Sequence, residues 1–260
     1  YNNDLLRYIG CTENQVMECV RNFDANNLTD SFNNFYSSIN LNPNLIFIPL
    51  YDGEFLQEEP IKLLDQGNFK KCPLILGYNK DEGNFFLGMD NRDYSNIKIL
   101  ESINYARFSN IISEYITYYP RLPYVADQKI RDTIFYRYSN WENLENSFEN
   151  FQNLNRFLTD SQFLCPANKI AEYYFNSGFD VFLYEYQHVS SLSRWPKHYG
   201  SVHGDELPFI FGQPLDPKYK YSQTEVEFSR KLIKYWTNFA LCGNPNGLKN
   251  YVWVSEAQER

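Results

Sequence analysis

The sequence predicts an α/β fold with a mainly parallel sheet flanked by helices. Of its 260 residues, 43% are hydrophobic and 22% are charged, a composition typical of a globular protein with a sizeable core. Short apolar runs alternate with longer amphipathic stretches, and this alternation is typical of βαβ units. The chain shows no internal repeat and no linker rich in Gly or Pro, so no domain boundary is indicated.

Two segments are predicted as core strands. Residues 73–77 (PLILG) and 181–186 (VFLYEY) are short apolar runs bounded by polar residues. Two or three such strands are too few for a complete doubly wound sheet in a chain of this length. We therefore expect the rest of the sheet to lie elsewhere.

Two longer segments are predicted as helices. Residues 153–175 carry apolar side chains at helical spacing, and an interruption is expected near Pro166 because proline cannot donate the helical hydrogen bond. Residues 224–241 form an amphipathic pattern that stops at Gly243 and Pro245. Helices of this length are expected to cover the sheet.

Charge and motif content exclude several classes of function. The 24 Lys and Arg residues are outnumbered by 32 Asp and Glu residues, and the net charge of −8 gives no positive field for nucleic acid. The sequence has no Gly-rich phosphate loop, dinucleotide fingerprint or HExxH helix, so no cofactor is predicted. It also has no run of eighteen apolar residues, so no membrane-spanning helix is predicted.

The cysteines favour a secretory compartment over a metal site. The five cysteines form no CxxC pair and have no His at metal-ligand spacing, so no metal is expected. Cys11 and Cys19 are close enough in sequence to bridge a short loop, and Asn27 begins the glycosylation sequon Asn27-Leu28-Thr29. An odd number of cysteines implies a free thiol or a partner outside this chain.

His203 is the candidate general base. It lies in residues 200–208 (GSVHGDELP), where two glycines favour a tight loop that leaves the imidazole unobstructed. Imidazole can take a proton from a nucleophile and return it to a leaving group when a carboxylate orients its other nitrogen. The local sequence also fits a surface histidine with no catalytic role. It offers four carboxylates as possible partners of His203, namely Asp81, Glu82, Asp205 and Glu206.

The sequence contains no recognisable nucleophile. The elbow pattern Gly-x-Ser-x-Gly is absent, and residues 200–204 (GSVHG) place Ser201 one position too early. Ser201 would also lack the strained strand-to-helix turn that exposes an elbow serine. We therefore do not assign Ser201 a catalytic role.

A series of short motifs runs in order along nearly the whole chain. In this order they resemble the C-terminal half of a type-B carboxylesterase/cholinesterase, a family with an α/β-hydrolase fold. The motifs are Gly10-Cys11 with Cys19, residues 47–56 (FIPLYDGEFL), residues 76–87 (LGYNKDEGNFFL), Cys165-Pro166, Trp195-Pro196, residues 203–206 (HGDE), Phe211-Gly212, residues 235–240 (YWTNFA) and residues 243–246 (GNPN).

The resemblance implies roles for several residues. Glu82 would be the acidic triad member, His203 the base, and Cys11 with Cys19 a disulfide. The family's elbow serine lies ahead of Tyr1, so residues 1–260 would be the C-terminal portion of a single α/β-hydrolase domain without its nucleophile. In the family the partner of Cys165 is a cysteine close to the C-terminus of the full-length protein, and these 260 residues stop before that position, so Cys165 is expected to be unpaired.

The resemblance gives mixed indications of substrate. Phe85, Phe86 and Trp195 fall where cholinesterases line their gorge with aromatics that hold a quaternary ammonium by cation–π attraction. Asp205, however, stands where cholinesterases usually carry Tyr, and this favours a general carboxylesterase. The acyl-pocket positions align approximately with Pro43 and Leu45, which predicts a pocket wide enough for acyl groups larger than acetyl.

Three functions follow as hypotheses: a choline-ester hydrolase acting through an acyl-enzyme, a general carboxylesterase, and a non-catalytic cholinesterase-like adhesion protein. The first two take a small-molecule ester and need no cofactor or metal. Retention of both Glu82 and His203 favours an enzyme, since an adhesion protein has no chemical need for a matched acid and base. The resemblance implies an extracellular protein, secreted or held at the cell surface, and leaves open a homodimer and membrane anchoring through segments outside this chain.

Overall fold

The computed structural model of the protein describes residues 2–11, 15–38, 51–89, 102–118 and 128–247. The chain divides into two compact units, residues 1–60 and 61–260. The candidate catalytic residues lie in the second unit. Each unit is described by itself below.

The first unit contains three helices, α1 (Asn2–Tyr8), α2 (Val16–Arg21) and α3 (Ala25–Ser38). Asp24 accepts hydrogen bonds from the backbone N–H groups of Asn26 and Asn27, which caps the start of α3. Asn27 itself is exposed on this helix.

A disulfide closes the loop between α1 and α2. It joins Cys11 to Cys19, whose Cα atoms are 5.7 Å apart, and the pairing expected from the resemblance is confirmed. The other three cysteines also lie in the described ranges, and there Cys72, Cys165 and Cys242 are free thiols. The unpaired state predicted for Cys165 is therefore found.

The second unit contains a parallel pair of strands, β1 (Leu74–Asn79) and β2 (Val181–Tyr186). Leu74 pairs with Val181 and Asn79 with Tyr186, so both strands end at the same edge of the sheet. The prediction for β2 is confirmed, and β1 extends two residues beyond the predicted end. Parallel pairing agrees with the predicted βαβ organisation.

The rest of the second unit is mainly helical in the described ranges. The helices there are α4 (Pro60–Asp65), which begins at the unit boundary, α5 (Glu82–Met89), α6 (Tyr105–Tyr118), α7 (Gln128–Tyr138), α8 (Ser147–Thr159), α9 (Cys165–Asn176), α10 (Leu207–Ile210) and α11 (Gln223–Cys242). None of them is both long and apolar enough to cross a membrane, as far as the described ranges extend.

The main hydrophobic core lies among α5, α6 and α8. Leu87, Phe108, Ile112, Phe151 and Leu154 are each completely buried there. Burial of such side chains stabilises the fold by roughly 1.5–3 kcal/mol each. This packing fixes α5, the helix that begins at Glu82.

The expected interruption near Pro166 is confirmed. The α-helical pattern breaks at a π-helical turn over Asp160–Leu164, which joins α8 to α9 and ends two residues before Pro166. Proline has no N–H to donate, and the Cys165 N–H before it bonds the Asp160 carbonyl, five residues back. π-turns of this kind are rare and are often found at functional sites.

The predicted helix over 224–241 is confirmed as α11. Ser222 and Glu225 form a capping box at its start, in which each side chain bonds the other's backbone N–H. The helix ends at Gly243, which adopts a left-handed conformation. Local cap signals therefore set both ends of this element.

Candidate active site

Glu82 is buried at the first residue of α5, three residues after β1 ends. Its side chain is 5% exposed, and its Oε1 accepts a hydrogen bond from the Asn79 backbone N–H at 2.7 Å. The unpaired N–H groups at a helix start favour a negative charge there. The next residue, Gly83, has to be glycine because a Cβ at this position would collide with the Asn155 carbonyl of α8.

His203 lies opposite Glu82 on a tight turn. Its Nδ1 is 2.7 Å from Glu82 Oε2, within the range of a charge-assisted hydrogen bond. Gly204 follows His203 with a φ of +86°, a conformation that favours glycine. The His203 side chain is 47% exposed, so one end of the ring is held by a buried acid while much of the ring stays accessible.

Asp81 supports the loops rather than His203. Its Oδ2 accepts a hydrogen bond from the Ser201 backbone N–H at 3.0 Å, and its Oδ1 accepts one from Asn155 Nδ2 at 2.9 Å. The Asp81 N–H in turn donates to the Ser201 carbonyl at 2.9 Å. Asp81 thus joins the end of β1 to the segment that leads into His203.

The carboxylates that follow His203 have other partners as well. Asp205 Oδ2 accepts a hydrogen bond from the Val202 N–H at 3.1 Å, which closes the turn around His203. Glu206 Oε2 accepts one from Asn79 Nδ2 at 2.6 Å. Of the four carboxylates that the sequence left open, Glu82 is the one hydrogen-bonded to His203.

Ser201 is unsuited to act as a nucleophile. Its side chain is fully buried, and its hydroxyl donates to the Tyr186 carbonyl at 3.2 Å. This hydroxyl holds the loop against the end of β2. The expectation that Ser201 has no catalytic role agrees with this geometry.

The acidic surroundings change the ionisation of His203 and Asp205. The hydrogen bond that His203 donates to Glu82 raises the pKa of His203; burial opposes this rise, and the negative charges of Glu82 and Glu206 add to it. Burial raises the pKa of the Asp205 carboxyl to about 6. His203 therefore keeps a proton at higher pH than an ordinary histidine does.

Aromatic rings surround His203 on several sides. The ring centroids of Phe85, Phe86 and Phe163 lie 5.4, 6.1 and 5.1 Å from that of His203. Trp195 contacts Phe85 at 6.0 Å and stacks on Tyr199. The structure thus brings the predicted aromatics together, with Trp195 packed behind Phe85.

Phe163 is a residue that sequence reasoning missed. It lies on the π-helical turn, and its position beside His203 depends on that turn. Helical periodicity assigns side chains to faces on the assumption of 3.6 residues per turn, so it gives no signal here. The one available hint was its place two residues before the Cys165-Pro166 motif.

Comparison with known proteins assigns the chain to a family. The model of the carboxylesterase family matches residues 1–259. The chain belongs to this family. It is 31% identical to an acetylcholinesterase of Leptinotarsa decemlineata over 231 residues, 89% of this chain and 35% of that protein. It is 30% identical to an acetylcholinesterase of Bungarus fasciatus over 249 residues, 92% of this chain and 38% of that protein.

Membership of the carboxylesterase family confirms the resemblance and the coarse fold class. The family implies an α/β-hydrolase fold, and the parallel β1–β2 pair with its helices is consistent with part of one. This carboxylesterase-family chain spans a little over a third of the length of the two relatives. Pro43 and Leu45, the predicted acyl-pocket positions, lie outside the described residues.

Proposed function

We propose that this chain supplies the acid and the base of a serine carboxylic-ester hydrolase. One observation carries the proposal: a buried carboxylate, Glu82, is hydrogen-bonded at 2.7 Å to the accessible imidazole of His203. A dyad of this kind is two thirds of the Ser–His–acid triad. The family match and the acetylcholinesterase relatives support this reaction class.

The proposed reaction uses both nitrogens of the imidazole. Glu82 holds the proton on Nδ1, which leaves Nε2 free to take the proton of a serine hydroxyl as the oxygen attacks the ester carbonyl. His203 then returns this proton to the leaving alcohol, and an acyl-enzyme remains. A water molecule then attacks the acyl-enzyme, with His203 again as base, and the carboxylic acid product is released.

We propose that the serine and the oxyanion donors lie in residues that precede Tyr1. This follows from the absence of an elbow motif and from the share of the relatives that the chain covers. In this view residues 1–260 are the C-terminal portion of a single α/β-hydrolase domain, and the rest of the sheet comes from the same upstream segment. The disulfide and the exposed sequon at Asn27 support an extracellular location.

Choline esters are the substrates that the aromatic surroundings support best. The faces of Phe85, Phe86 and Phe163 offer cation–π contact to a quaternary ammonium near His203, with a contribution of roughly 0.5–2 kcal/mol per ring. A general carboxylesterase is the second candidate. It is favoured by Asp205, which directs a carboxylate rather than an aromatic ring into the turn after His203.

Hydrolysis by the full-length protein tests the proposal. Wild type should hydrolyse a choline thioester in preference to a simple phenyl ester and should be labelled on a serine by an organophosphate, whereas His203→Ala should lose roughly 10⁴-fold in kcat. Equal use of both esters would favour the general carboxylesterase. Absence of both hydrolysis and labelling would refute the enzyme and leave the adhesion protein.

A further inference from the structure

Asn79 is hydrogen-bonded to Glu82 and to the turn that carries His203. It is the last residue of β1, and it is 1% exposed. Its backbone N–H donates to Glu82 Oε1 at 2.7 Å. Its side-chain Nδ2 donates to the Val202 carbonyl and to Glu206 Oε2, each at 2.6 Å.

These hydrogen bonds bracket His203 in the chain. Val202 precedes it directly, and Glu206 follows it by three residues, so both ends of the turn are held by one amide group. Asp205 closes the same turn internally through the Val202 N–H. A turn fixed at both ends cannot rotate away from β1 without breaking a buried hydrogen bond.

We infer that Asn79 is a positioning residue that holds the His203 turn at hydrogen-bonding distance from Glu82. The inference rests on the proposed function, because it matters for catalysis only if His203 acts as a base. The rigid end of a strand is a suitable place for such a residue, since a displacement of about 1 Å at reacting groups can lower a rate by about 10²-fold.

An amide suits this position better than a carboxylate or an alcohol. Its NH₂ group offers two donors, and the two acceptors it meets are a carbonyl and a carboxylate. Aspartate has the same shape but no donor when ionised, and it would add a negative charge beside Glu206. Asn79→Asp therefore keeps the volume of the side chain and removes both hydrogen bonds.

The test compares Asn79→Ala and Asn79→Asp with a matched control, Asn150→Ala, in the full-length protein. Asn150 is a completely buried amide of α8 whose Nδ2 donates to the Ile103 and Leu144 carbonyls at 2.9 Å each. Both alanine variants should lower Tm because each leaves buried acceptors without a donor. Only the Asn79 variants should weaken the hydrogen bond between His203 and Glu82.

The first readout is the NMR signal of the proton on His203 Nδ1, identified by its loss in His203→Ala. Wild type and Asn150→Ala should show this proton far downfield, as expected of a hydrogen bond to Glu82, whereas both Asn79 variants should lose or broaden it. The second readout is ester hydrolysis, in which kcat should fall about 10²-fold with KM within about threefold, since Asn79 positions the His203 turn and does not bind the substrate.

The two readouts separate this inference from the proposed function. Retention of the Nδ1 signal or of kcat in a folded Asn79 variant overturns the positioning role. Loss of the signal in a protein whose wild type hydrolyses no ester supports the positioning role and refutes the hydrolase.

Discussion

Replacing Glu82 by glutamine tests the acid of the proposed triad with the smallest change in shape. Glu82 accepts two hydrogen bonds, one from the Asn79 N–H and one from His203 Nδ1, each at 2.7 Å. A glutamine has a single oxygen and cannot accept both. If that oxygen stays on the Asn79 N–H, the amide NH₂ meets His203 Nδ1 and places the ring proton on Nε2.

That tautomer cannot serve as a base toward a serine hydroxyl. The opposite amide orientation would bring the NH₂ group against the Asn79 N–H, donor against donor, in a buried site. We therefore expect Glu82→Gln to lower kcat by about 10⁴-fold near neutral pH, the size of the effect when an amide replaces a triad acid. The assay is steady-state hydrolysis of a phenyl ester, with organophosphate titration to count active sites.

Glu225→Gln is the matched control, because Glu225 is also a buried acid beside a histidine. It is 3% exposed, and His188 Nε2 lies 3.3 Å from its Oε1. Burial opposes its ionisation, but hydrogen bonds from Ser191 and Ser222 outweigh burial and lower its pKa to about 2. This variant should lower Tm with little change in kcat per titrated site. Activity of Glu82→Gln within tenfold of wild type would refute the role given to Glu82.

Two further predictions concern pH. His203 must be neutral to act as a base, and its hydrogen bond to Glu82 raises its pKa. The value of kcat/KM should therefore fall as pH decreases, with a midpoint above 6.5, the ordinary pKa of histidine. A midpoint below 6.5 would contradict the geometry. Burial raises the pKa of Asp205 from 3.8 to about 6, so folding stability is lost as pH rises from about 4 through 6. Since one pKa unit corresponds to about 1.4 kcal/mol, Asp205→Asn should raise the free energy of unfolding at pH 8 by up to about 3 kcal/mol. It should have much less effect at pH 4, and an equal effect at both values in urea titrations would rule this explanation out.

Local signals were enough to predict both strands and α11, but they did not predict α5, the helix that begins at Glu82. The strands are short apolar runs between polar residues, and α11 has a capping box at its start and glycine at its end. The interruption near Pro166 could be predicted because proline has no N–H to donate to a helix, but its form as a π-helical turn could not.

The partner of His203 could not be chosen from the residues alone. Four carboxylates lie within a few residues of the two candidate loops, and they are chemically almost alike. The family resemblance selected Glu82, but the contact itself depends on which residues the paired strands bring together. Phe163 and Asn79 were missed for a related reason: a ring on a π-helical turn and a polar residue at a strand end have no distinctive local pattern.

The strand pairing explains why Glu82 and His203 meet at one edge of the sheet. Because β1 and β2 run parallel in register, Asn79 lies beside Tyr186, and the segments that leave the two strands start from the same edge. The Lys80 and Asp81 N–H groups then donate to the carbonyls of Tyr186 and Ser201, which ties the two exits together before Glu82 begins its helix. A change that shifted this register would separate Glu82 from His203 without altering either residue. The geometry of the proposed acid–base pair therefore depends on the strand pairing, and Asn79 links the two, because it ends β1 and bonds both Glu82 and the His203 turn.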